Sequence, residues 1–140
     1  MIDYDKLEKS LKHLEAQFEN YKHSKERPEL SDLDREAIGE SVIQRFETCY
    51  DTLWKTLKRY LAEELGLPDT PNSPRGVFRL AGQNSLLTAT VEQWFKYVDA
   101  RIATSHDYSG EKAQECRAIM YDFLHDAIDL YRTMTGKARG

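Results

Sequence analysis

Between Arg101 and Tyr108 the chain places a guanidinium, an imidazole and a phenol within eight residues, Arg-Ile-Ala-Thr-Ser-His-Asp-Tyr. These are groups that phosphate chemistry without a metal would use. Arginine offers a fixed fork of donors to phosphate oxygens. Histidine titrates near neutrality and can move the proton of an attacking or leaving hydroxyl. The spacing alone also fits a plainer role, with Arg101 in a surface ion pair with Asp99 or Asp107 and His106 a polar residue at a helix C-terminus. In a regular helix five residues set Arg101 and His106 about 140° apart. They share a face only if the helix loosens at its end, or if the same pair from a second protomer completes the site.

Other groupings that could support chemistry resolve into structure. Asp3-Tyr4-Asp5 and Asp32-Leu33-Asp34 have the paired-carboxylate form that two-metal phosphoryl-transfer sites use to hold Mg²⁺. Both fall at expected helix starts, where acidic side chains complement the positive end of the helix dipole, and neither follows a glycine-rich phosphate loop. The sequence contains no Gly-x-x-x-x-Gly-Lys, His-Glu-x-x-His or Gly-x-Ser-x-Gly, so no metal is expected in this chain and no nucleotide transfer by it alone. His13, His23 and His125 lack a second ligand at a helical offset and read as solvated or core-edge residues. Lys55, Lys58 and Arg59 could meet a phosphate, but Glu63 and Glu64 follow directly, and a solvated helix face accounts for the run. Trp54 and Trp94 read as core or interface residues rather than a stacking platform.

The elements that must position these residues are helical. From about Asp3 to Lys25, Leu7, Leu11, Leu14, Phe18 and Tyr21 recur at intervals of three and four, and Pro28 closes the segment. Ser31, followed three residues later by Asp34, caps a second helix running without a breaker from Leu33 to Leu65. Its stripe is Ile38, Val42, Phe46, Cys49, Leu53, Leu57 and Tyr60; Gly39 is its one weak point, and Gly66 and Pro68 end it. Ser73-Pro74 opens a short helix to about Ala81, stopped by Gly82. Thr90 with Gln93 opens another, carrying Val91, Trp94, Phe95, Val98 and Ile102, and the irregular piece behind it ends at Ser109-Gly110. A last helix, from Glu111 to about Thr135, buries Cys116, Ile119, Met120, Phe123, Ala127 and Leu130. The expected fold is all-α, an antiparallel up-and-down four-helix bundle with an extra short helix, in one domain spanning residues 1–140.

Composition narrows the class further. A chain of 140 residues can bury a core without disulfides or a metal. Cys49 and Cys116 lie within apolar helical patterns, not in a Cys-x-x-Cys cluster, and read as free thiols of a reducing compartment, which places the protein in the cytoplasm. Acidic residues follow Met1 at once, and no run approaches the length of a membrane span, so neither export nor membrane insertion is expected. The net charge of −4 argues against nucleic-acid binding driven by overall charge and leaves room for a local basic patch.

Two separated segments resemble a known family. Gln44-Arg-Phe-Glu-Thr-Cys-Tyr-Asp-Thr-Leu-Trp-Lys-Thr-Leu-Lys-Arg-Tyr-Leu61 is similar to the signature of the nucleotidyltransferase substrate-binding protein family, within the HEPN superfamily. Arg101 to Tyr108 resembles the HEPN motif in its Arg-x4-His-x-Tyr form, and Ser73-Pro-Arg75 also fits. The resemblance implies a homodimeric helical bundle that forms the substrate-binding subunit of a two-component nucleotidyltransferase. A separately encoded minimal (MNT) nucleotidyltransferase would bring ATP and Mg²⁺, this chain itself holding no cofactor. Arg101, His106 and Glu47 would bind substrate, with RNA or a nucleotide as the ligand; the plainer reading of Glu47 is an intrahelical pair with Lys55 or Arg45. The alternative it implies is a HEPN toxin with metal-independent ribonuclease activity. There Arg101 would stabilise the transition state, His106 would act as general acid or base, and nucleotidylation of Tyr108 by the partner would neutralise the toxin. Ile102 departs from the polar residue common after the motif arginine, which weighs against ribonuclease activity more than against the fold or the partnership.

Overall fold

The computed structural model describes residues 1–105 and 110–136, and every regular element among them is a helix. Helix α1 (Asp5–His23) buries Leu7, Leu11, Leu14 and Phe18 and closes in a 3₁₀ turn, Ser24–Glu26. Helix α2 (Asp32–Arg59) starts at a complete capping box: the Ser31 hydroxyl accepts from the Asp34 N–H while the Asp34 carboxylate accepts from the Ser31 N–H, each at 3.0 Å. The Asp3 carboxylate likewise accepts from the Asp5 N–H at 2.9 Å, so both Asp-x-Asp pairs serve helix starts. Beyond Arg59 the helix widens into a π turn, Tyr60–Glu64, rather than running regularly to Leu65. Gly66, at φ 63°, then turns the chain away.

Helix α3 (Pro74–Gln83) is capped by the Ser73 hydroxyl, and α4 (Val91–Ala103) by the Thr90 hydroxyl. The expected stop at Gly82 is not observed. The helix runs through it to Asn84, whose side-chain amide donates to the Leu80 carbonyl at 2.9 Å. Gly82 serves proximity instead: a Cβ there would overlap Cγ2 of Val91. The last helix is also divided, into α5 (Gly110–Ala118) and α6 (Met120–Thr135), because the Ile119 N–H bonds to the Cys116 carbonyl, one residue short of the α pattern. The buried stripe Ala113, Cys116, Met120, Phe123, Ala127 and Leu130 passes through this tightened turn unbroken.

The pairings give the topology. As α1 advances from His13 to Tyr21, its partners on α2 recede from Arg45 to Gly39. Arg117 and Phe123 instead meet Gly39 and Phe46 in the same order, so α5 and α6 run parallel to α2. Helix α4 is antiparallel to α2, Arg101 meeting Asp51 and Thr104 meeting Glu47. Four rods thus alternate up and down, with α3 as the short extra helix. No helix among the described residues is long and apolar enough to cross a membrane.

Two tests follow. Helix propensity alone makes Gly82→Ala stabilising by up to about 1 kcal/mol, but overlap with the stiff Val91 side chain should destabilise by about 1–2 kcal/mol in urea denaturation. Adding Val91→Ala should reverse much of that overlap cost, and additive effects would refute the close contact. Burial also pushes the Cys49 and Cys116 thiols up from 9.0 to about 12. The unfolded chain releases these protons from about pH 9 and the folded chain only near pH 12, so their contribution is intact below pH 9 and lost as pH rises to 12. Urea midpoints should fall across that window, and more shallowly in Cys49→Ala/Cys116→Ala; equal slopes would show that the thiols are not the cause.

Candidate functional site

Arg101 lies in the last turn of α4, where a cation complements the negative end of the helix dipole. It reaches across to α2. Its Nε and Nη2 donate to the two carboxylate oxygens of Asp51, both at 3.3 Å, and its Nη1 donates to Oε2 of Glu47 at 3.1 Å and to Oγ of Ser105 at 3.0 Å. The Thr104 hydroxyl, fully buried, donates to the same Glu47 oxygen at 3.0 Å. Burial works against the guanidinium charge, but the Asp51 hydrogen bonds and the Asp51 and Glu47 charges outweigh it and leave the Arg101 pKa raised.

Among the described residues the grouping therefore carries two carboxylates and one guanidinium, a net charge of −1. In a free arginine all five N–H donors face a ligand. Here, among the described residues, four are engaged and one Nη2 hydrogen has no partner. A phosphate could use the full fork only after Asp51 or Glu47 released it.

Arg101 and Glu47, proposed from sequence, are brought together. His106 and Tyr108, the other two, lie outside the described residues. Of the partners considered from sequence, Asp99 bonds instead to Arg75 at 2.8 Å, Arg45 to His13 at 3.1 Å, and Lys55 lies over the Trp54 ring, while Asp107 lies outside the described residues. Asp51 was missed, although it stands four residues after Glu47 on the same face of α2. That acidic i, i+4 pair, with no basic residue between to answer it, was the available signal.

Beside the ion pair, α2, α3 and α4 enclose an open cleft of about 460 Å³. Tyr50, Trp54, Val98 and Ile102 supply its apolar surface, and Arg75 and Arg101 also line it. Ile102, at the end of the apolar period of its helix, is 60% exposed, whereas Tyr97, not singled out from sequence, is buried. The Tyr97 hydroxyl donates to Asp126.

The chain belongs to the nucleotidyltransferase substrate binding protein like family, whose model matches residues 2–136. Among solved structures, a Haemophilus influenzae protein described as revealing the fold of a substrate binding domain of a nucleotidyltransferase has a TM-score of 0.83. It is 24% identical over 94% of this chain and 98% of its own, a likeness of fold. A Thermus thermophilus protein is 27% identical, with a TM-score of 0.66, over 87% of this chain and 98% of its own. No curated protein matches the chain.

The Glu47 side chain is only 13% exposed and Asp51 40%, so removing the guanidinium strands Glu47 far more than Asp51. Arg101→Ala should cost about 1–3 kcal/mol in urea denaturation, with Arg101→Ala/Glu47→Gln recovering part of it. Additive single effects in that cycle would show that the two side chains do not interact in solution.

Proposed function

We propose that this chain is the substrate-binding subunit of a two-component nucleotidyltransferase, working beside a separately encoded minimal nucleotidyltransferase. The observation that carries the reading is the cleft at Arg101: concave, mainly apolar and lined by a few fixed polar groups, the form that small-molecule sites take. The partner would supply the nucleotide triphosphate and its Mg²⁺, and this chain would hold the acceptor. The charge balance suits an acceptor bearing hydroxyl or amino groups. Arg101 and Arg75 are each already paired with carboxylates, and Asp51 stays open to a ligand donor. Exposed Ile102 beside half-buried Trp54 also fits a surface that a second protomer covers, as in a homodimer.

The HEPN toxin is the second reading. It is favoured by the way two carboxylates fix the Arg101 guanidinium at the end of α4, five residues before His106. One experiment separates the readings: intact-mass analysis after incubation with the neighbouring gene product, ATP and Mg²⁺. The binding-subunit reading expects a stable complex and no added mass on this chain. It also expects Trp54→Ala to weaken acceptor binding by tenfold or more while the complex persists. A gain of AMP units that disappears in Tyr108→Phe would overturn it in favour of the regulated toxin.

A further inference from the structure

A second site candidate lies on the other exposed flank of α2, roughly 120° round the helix from Glu47, Asp51 and Trp54. Lys6, Lys9 and His13 follow one another at i, i+3 and i+7 on α1, and Arg45, Thr48 and Thr52 do the same on α2. The antiparallel packing sets these two rows side by side along a groove of about 190 Å³. A further hollow of about 260 Å³, sharing Arg45 and Thr48, extends it toward Ser41 and Gln44. Among the described residues, no carboxylate lines either one.

The missing counter-charge is local. Elsewhere on the same two helices several basic side chains find acidic partners, Lys12 with Glu8, Lys22 with Glu19 and Arg35 with Asp32, while Lys55 meets the Trp54 ring and Lys58 the Asn72 amide. In the groove, Arg45 Nη1 donates to Nδ1 of His13 at 3.1 Å, so its nearest polar contact is another basic side chain. Cationic side chains one helical turn apart disfavour each other, and an anion between the rows would relieve that repulsion. The hydroxyls of Thr48 and Thr52 donate to the carbonyls of Gln44 and Thr48. They shape the floor, and recognition falls to the cations.

We propose that this groove binds a small phosphorylated ligand through a di- or triphosphate group held by Lys6, Lys9 and Arg45. Extent decides for a small ligand. The α1 row spans about 10 Å, the reach of a short polyphosphate, whereas a protein that tracks single-stranded nucleic acid needs a groove several nucleotides long. Arginine suits the forked contact and lysine the point charge. The site is separate from the Arg101 cleft, so it stands or falls independently of the acceptor reading.

The test is calorimetric titration of the intact protein with inorganic tripolyphosphate and with ATP without Mg²⁺, at moderate salt. Saturable one-to-one binding is expected, weakened at least tenfold by Lys6→Gln/Lys9→Gln and by Arg45→Gln. The charge-matched control Lys25→Gln/Lys112→Gln, outside the groove, should change it less than twofold, with circular dichroism showing every variant folded. ATP binding tighter than tripolyphosphate would identify a nucleotide as the source of the phosphates; equal affinity would identify the polyphosphate alone as sufficient. No saturable binding, or an equal loss in the control, would overturn the proposal. So would binding of a short oligoribonucleotide without binding of tripolyphosphate.

Discussion

The Phe123 ring sets the positions of the helices that matter. It meets Phe46 of α2 edge-on at 4.9 Å and Tyr97 of α4 at 5.2 Å, with Trp94 a further edge contact at 6.3 Å. Trp94 in turn stacks on Phe78 of α3 at 4.7 Å. Such edge and offset contacts add to area burial and prefer particular distances, so α2, α3, α4 and α6 are locked through one aromatic cluster. The polar site is a consequence. Glu47 follows Phe46 and Asp51 follows Tyr50 in sequence, and Arg101 stands one turn beyond Tyr97. Rigid helices carry ring positions into charge positions, and the Arg101 fork meets its carboxylates because the cluster spaces their helices.

The long rods were legible because they announce themselves twice, by apolar residues at intervals of three and four and by capping residues at their starts. Ser31, Ser73 and Thr90 all accept the backbone N–H expected of them. Where the reading failed, a tertiary contact had overridden a local rule. Gly82 looked like a helix stop because glycine is a poor helix former, but the approach of Val91 requires a residue without a side chain there. The break at Ile119 left no mark in the sequence, since the apolar stripe passes through it in register.

The site was legible in its residue types and not in its pairings. Sequence distance favours neighbours, so Arg101 was weighed against Asp99, and Glu47 against Arg45 and Lys55. Each had a nearer candidate than the partner it has, more than fifty residues away. Ile102 shows the converse. Its place in the apolar period pointed inward, but α4 ends where the cleft opens and leaves it exposed. Periodicity fixes which face a residue occupies and not how far along the helix the neighbouring element extends.

The unequal burial of the two carboxylates determines how Arg101 could change partners. A half-exposed pair such as Arg101 with Asp51 is worth about 0–1 kcal/mol, whereas taking the cation from the more deeply buried Glu47 costs about 1–3 kcal/mol. A ligand anion competing for the guanidinium would therefore displace Asp51 and leave Glu47 in place, its Oε2 held as well by the Thr104 hydroxyl. Glu47 then acts as the pivot and Asp51 as the exchangeable partner. A ligand that presents a hydroxyl or an amine needs no exchange at all, because Asp51 already has exposed oxygen to accept from it. The same three residues can thus meet a neutral acceptor at no electrostatic cost and a phosphate at a small one, while the larger cost of freeing Glu47 keeps the guanidinium aimed at the cleft in both cases.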